Sequence, residues 1–300
     1  MKCMNISIAL STCFISVTKS SSFVNPIVRN KIYCKTSKKL HNCNAPIDMR
    51  LFSDLRNKDD ESESKQKLKL LSPHFRILCL HGKGGSGITF QKNLSLLENS
   101  LRLKFKDKKI SIGFDYLTAP YPLNDVDIRD GYEWWGLPPG MRSFNADKYI
   151  GFEKSKNLVL EALEKNSYGA ILGHSQGSIL LSIMMTSEGW NFDDYFYILN
   201  GSAWPNPFSE TLENFDYESH GKPEDNEIKT RALFVIGKND KINPPEGAVR
   251  IRDLLKGKGV SVETCMHEGG HAFPVRDELS LENISNWLTE VINIEFKLSE

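Results

Sequence analysis

Five residues, Gly173-His174-Ser175-Gln176-Gly177, restrict the folding options of this chain more than any other stretch. They sit between an apolar run that reads as a strand, residues 168–172, and one that reads as a helix, residues 178–185. A chain passing from strand to helix in so short a distance must turn sharply at the central serine. Residues two before and two after it must then be small, and the hydroxyl is left standing above the sheet edge. The pattern alone is weak: with Gly and Ser at about 7% each, chance supplies about 0.1 matches in a chain of this length. The flanking strand and helix give it weight. If Ser175 is a nucleophile, the rest of the chain must supply a base, an acid to orient it and donors for an oxyanion.

The hydrophobic periodicity allows such a fold. From Phe75 onward, strand and helix patterns alternate. Residues 76–80 form a continuous apolar run, as expected of a strand covered on both faces. Phe90, Leu94, Leu97, Leu101 and Phe105 mark a helical stripe, and residues 110–114 read as the next strand. A stretch rich in Pro, Gly and aromatics covers 117–145, followed by a helix over 149–165. After the strand–serine–helix unit come a strand at 197–199 and a second irregular stretch, 201–229. A strand at 232–236, a helix at 246–255, a strand at 260–266 and a closing helix with Leu281, Ile284, Trp287, Leu288 and Val291 complete the chain. This order predicts an α/β fold, a doubly wound, mostly parallel sheet flanked by helices.

Composition narrows the partners. The formal net charge is zero, so no global field argues for nucleic acid or an anionic membrane. Four of the six cysteines fall in the first 43 residues and no C-x-x-C occurs, which argues against a disulfide framework or a structural zinc site. Residues 1–47 contain no Asp or Glu but carry Lys2, Lys19, Arg29, Lys31, Lys35, Lys38 and Lys39. Residues 4–17 form an apolar run too short for a stable membrane span. A basic, Ser/Thr-bearing stretch follows, and the whole resembles the two-part presequences of proteins sent to complex plastids, with Phe23 at the matching junction. Another organelle, the secretory pathway and the cytoplasm are the competing destinations. Residues 53–69 are highly charged and read as a linker. The expected division is a presequence over 1–52, a linker over 53–71 and the α/β domain over 72–298.

In hydrolases built on such a sheet, the acid and then the histidine follow the serine along the chain. Of His220, His267 and His271, only His271 combines a preceding strand with a Gly-Gly pair that allows a tight loop. His267 stands at the strand end itself, where packing or bracing the loop is the simpler role. Asp240 alone among the later aspartates directly follows a strongly apolar strand, in a loop bounded by Gly237 and Pro244. The first strand runs into His81-Gly82-Lys83-Gly84-Gly85-Ser86-Gly87, and the main-chain N–H groups of Lys83 and Gln176 are the expected oxyanion donors. Gly82, Gly84 and Gly87 also spell a dinucleotide-binding pattern, but its acidic partner, Asp115, comes late and Ser175, Asp240 and His271 would go unused. No Gly-Lys-Ser/Thr closes the run, which excludes a P-loop. Cys265, His267 and His271 lack a fourth donor for zinc.

Together these motifs resemble the FSH family of serine hydrolases, a eukaryotic branch of the α/β-hydrolases. The resemblance rests on Leu80-His81-Gly82, the Ser175 pentapeptide, Gly237 with Asp240 and Pro244, and Glu268 to Pro274 around His271. Tyr132 to Trp135 and Leu199-Asn200-Gly201-Ser202 are also similar to family segments. His174 departs from the commoner Phe or Leu, and residues 137–141 do not align. The resemblance implies a serine esterase or thioesterase that works through an acyl-enzyme, needs no cofactor and acts on a small acyl ester or thioester. Acyl transfer to an alcohol and a non-catalytic binding role on the same scaffold are the alternatives. His174, Trp134, Trp135 and Trp204 are the expected pocket residues; the aromatics could equally cover the core.

Overall fold

A computed structural model describes residues 73–123, 130–217 and 231–296. The expected presequence and linker, with Phe23 and the first four cysteines, lie outside the described residues, as does His220.

Among the described residues, eight strands and six α-helices keep the expected order, with two short strands and one short helix added inside the two irregular stretches. Six strands form one sheet: β1 (His74–Leu80), β2 (Ser111–Leu117), β5 (Ala170–His174), β6 (Phe196–Asn200), β7 (Ala232–Gly237) and β8 (Val262–His267). Their spatial order is β2-β1-β5-β6-β7-β8 and every pairing is parallel. The short strands β3 (Tyr121–Pro122) and β4 (Tyr132–Glu133) make a separate antiparallel pair. The predicted doubly wound α/β sheet is the observed one.

Helices cover both faces. Helices α1 (Gly87–Lys104) and α6 (Glu278–Glu295) bury Phe90, Leu94, Leu97, Leu101, Ile284, Trp287, Leu288 and Val291 against Ile77, Cys79, Leu172 and Ile198. The opposite core takes Leu78, Leu80, Ile171 and Leu199 from alternate strand positions. Against them pack α2 (Phe152–Lys165), α3 (Gln176–Met185), the short α4 (Ser209–Glu213) and α5 (Pro245–Gly257). Successive side chains on a strand point to opposite faces, which is why uninterrupted apolar strands serve both cores. All ten residues of α3 are buried, so this helix needs no polar face.

Where element ends differ from expectation, local chemistry explains it. β2 continues through Asp115 because that carboxylate is paired with Arg76 on the adjacent strand. That ion pair occupies the one acidic candidate for a ribose ligand. Helix α2 starts at Phe152 rather than at Tyr149 because Gly151 turns the chain with φ 85°.

Candidate active site

The parallel strands deliver their ends to one edge of the sheet, where loops carry side chains into a common space. β5 ends at His174, and Ser175 takes φ 53° and ψ −120°, a left-handed conformation unusual for a residue with a side chain. Crowding enforces the small flanks. A Cβ on Gly173 would lie 2.6 Å from the Gly177 carbonyl oxygen, and one on Gly177 would lie 2.3 Å from that of Leu80. The Ser175 N–H is held by the Asn200 carbonyl at 2.9 Å, which fixes the turn to the neighbouring strand β6.

Three sequence-selected side chains meet at this turn. Ser175 Oγ is 2.8 Å from His271 Nε2, and His271 Nδ1 is 2.7 Å from Asp240 Oδ2. The other carboxylate oxygen of Asp240 accepts the N–H groups of Ile242 and Asn243, at 2.9 and 3.0 Å. Burial tends to raise the Asp240 pKa, but the hydrogen bonds from His271, Asn243 and Ile242 outweigh it and hold the carboxyl below its usual range. An ionised acid at Nδ1 leaves the Nε2 lone pair facing the serine hydroxyl, the arrangement of a general base beside a nucleophile.

The loop after β1 lies against Ser175, since a Cβ on Gly82 would sit 2.9 Å from the Ser175 Cβ. It is tied down by Gly84 N–H to Tyr132 O, Tyr132 N–H to Gly85 O and Gly85 N–H to Gly82 O. Among the described hydrogen bonds, the main-chain N–H groups of Lys83 and Gln176 have no partner. The Lys83 side chain points elsewhere, to Glu133 at 2.8 Å.

The tryptophans sit differently from the pocket expectation. Trp134 and Trp135 are fully buried and Trp204 nearly so, all in the core on the α2–α5 side of the sheet. Trp135 stacks on Tyr149 at 4.5 Å. Trp134 donates its indole N–H to the His81 carbonyl at 2.6 Å, and Arg250 covers the Trp204 ring at 3.5 Å. The polar handles of Trp134 and Trp204 are satisfied inside the protein, whereas the buried indole N–H of Trp135 has no partner among the described residues; all three rings belong to the core cluster. A cavity of about 910 Å³ lies beside the His271 loop, between α1 and the start of α6, and neither Ser175 nor His271 is among its lining residues. Phe90, Leu96, Met266, Phe273 and Leu279 form its apolar walls, and of the four expected pocket residues only His174 reaches it.

Several contacts that position the site could not be read from the sequence. The Gln176 side chain accepts the Trp134 N–H and donates to the Trp135 carbonyl, at 2.9 and 3.0 Å, anchoring that segment to the serine turn. Gly201, at φ 57°, makes room for His271: a Cβ there would lie 3.1 Å from the imidazole. Asn243 donates to the Gly201 carbonyl at 2.7 Å and holds this turn. His267 packs at the end of β8, away from the Ser175 contacts. Among the described residues, no group of three or more His, Cys, Asp or Glu is placed to hold a metal ion. No described helix is long and apolar enough to cross a membrane.

The family described as Serine hydrolase (FSH1) matches residues 71–281. No curated protein sequence matches the chain. Among solved structures, the esterase PE8 superposes with a TM-score of 0.52 at 18% identity, over 73% of this chain and 94% of that one. A point variant of SOBER1 from Arabidopsis thaliana gives a TM-score of 0.50 at 18% identity, over 73% of this chain and 99% of that one. At such identities the likeness bears on the fold alone, and it agrees with the sheet order described above.

Proposed function

Starting from a chain that belongs to the FSH1 serine hydrolase family, we propose that it cleaves a carboxylic ester or thioester through an acyl-enzyme on Ser175. The observation that carries this reading is the unbroken hydrogen-bonded series from Ser175 through His271 to Asp240. In the first half-reaction, His271 Nε2 takes the hydroxyl proton and Ser175 Oγ bonds to the acyl carbon. The carbonyl oxygen becomes an oxyanion, held by the main-chain N–H groups of Lys83 and Gln176. His271 then passes its proton to the leaving alkoxide or thiolate, whose bond to the acyl carbon breaks. In the second half, His271 deprotonates water, the hydroxide adds to the acyl carbon, and the acid leaves as Ser175 recovers its proton. Asp240 stays ionised throughout, fixing the ring and stabilising the imidazolium.

The test compares hydrolysis of p-nitrophenyl esters and acyl-CoAs of graded length by the wild type and by Ser175→Ala. The wild type should turn over part of the series, and the variant should lose at least about 10³-fold in kcat. Equal rates in the two proteins would contradict the assignment. Residues 1–52 remain assigned to targeting on composition alone. A fluorescent fusion of residues 1–70 should enter the plastid, and cytosolic fluorescence would contradict that.

A further inference from the structure

We infer that His174 and Asn200 form a positioning pair that sets the attitude of His271, an inference that rests on the hydrolase reading above. Asn200 ends β6 almost completely buried, and it touches three parts of the site. Its carbonyl accepts the Ser175 N–H at 2.9 Å. Its side-chain Nδ2 lies 2.7 Å from His174 Nδ1 and reaches the His271 carbonyl at 3.5 Å, the long end of hydrogen bonding.

With Nδ2 assigned as the amide nitrogen, it donates towards both the His174 ring and the His271 carbonyl, which assigns the tautomer of His174. Its Nδ1 is the acceptor, so the proton sits on Nε2. The ring is clamped between Phe90, stacked at 5.9 Å and 22°, and His271, at 5.1 Å and 45°. Burial first, then the neighbouring His271, lower the His174 pKa to about 3; the opposing pulls of Asp240 and the Asn200 carbonyl do not offset them. A neutral ring is what this position requires. His271 gains a positive charge in each half-reaction, and a second cation in contact with it would oppose that step. His174 touches neither Ser175 Oγ nor any reacting atom in the hydrogen bonds described, so its role is to hold the base.

The test uses the full chain and two substitutions at one position. His174→Phe keeps a ring but removes the acceptor. His174→Asn loses the ring while its Oδ1 replaces Nδ1. The pair predicts a kcat about tenfold lower for His174→Phe with KM within about twofold, and recovery to within about threefold of wild type for His174→Asn. The second readout is the downfield proton NMR signal of the His271 Nδ1–H that bonds Asp240. It should shift or broaden in His174→Phe and return in His174→Asn. Should His174→Phe not fold, Asn200→Ala takes its place with the same expectation. Wild-type kcat and an unmoved signal in the folded variant would overturn the pair, as would a His174→Asn protein no better than His174→Phe. The signal does not depend on turnover. A Ser175→Ala protein with full activity would therefore sink the hydrolase reading while the resonance still decides the pair.

Discussion

At the scale of single residues, the site depends as much on missing atoms as on functional groups. The imidazole of His271 occupies the space that a side chain at residue 201 would take, and the positive φ there adds backbone strain to any replacement. Gly201→Ala should therefore lower kcat by about tenfold or more, because small displacements of a base are costly. Circular dichroism would check that the fold is retained. Asp240→Asn keeps the shape but lets the wrong nitrogen of His271 carry the proton. A loss of about 10³- to 10⁴-fold in kcat is expected, as for the equivalent change in other serine hydrolases. A loss below tenfold in steady-state kinetics would mean that Asp240 does not orient the base.

Among the elements, the strand–turn–helix around Ser175 is above all a packing solution. Gly177→Ala would drive a methyl group into the Leu80 carbonyl of the adjacent strand, so the turn must open or the protein must fail to fold. Soluble yield and thermal midpoint would show it. Trp135→Ala empties a fully buried ring site and should destabilise by about 3–5 kcal/mol in chemical denaturation. How far such features could be read from the sequence follows from their range. Ser175, Asp240 and His271 were legible because each stands just past an apolar strand, a local signal that survives without any knowledge of contacts. The Trp134 and Trp135 positions were not, because an aromatic in an irregular stretch looks the same whether it faces a cavity or the core. Which it does is decided by Gln176, 41 and 42 residues away along the chain. Asn200 and Gly201 were visible as a strand end and turn. Their contacts with His174 and His271 exist only once β5, β6 and the loop after β8 are side by side.

For the whole molecule, buried neutral histidines make acid the weak side of its stability. Burial lowers the pKa of His81, His174 and His267, so each resists a proton that the unfolded chain accepts near pH 6.5. Stability from these groups is complete above that value and is lost as pH falls below it. Asp240 adds to the same trend at lower pH, because its folded-state pKa is depressed and its contribution disappears as it protonates. The urea midpoint should therefore be lower at pH 4.5 than at pH 7.5, and a higher midpoint in acid would contradict this electrostatic reading. Loops at three strand ends bring Ser175, His271 and Asp240 together, and the proposed activity rests on that convergence. Its most direct test is reaction of the folded protein with a fluorophosphonate, followed by peptide mass mapping. The expected result is a single adduct on Ser175, absent from Ser175→Ala and slowed in His271→Ala. No adduct on the wild type, or an adduct at another residue, would contradict it.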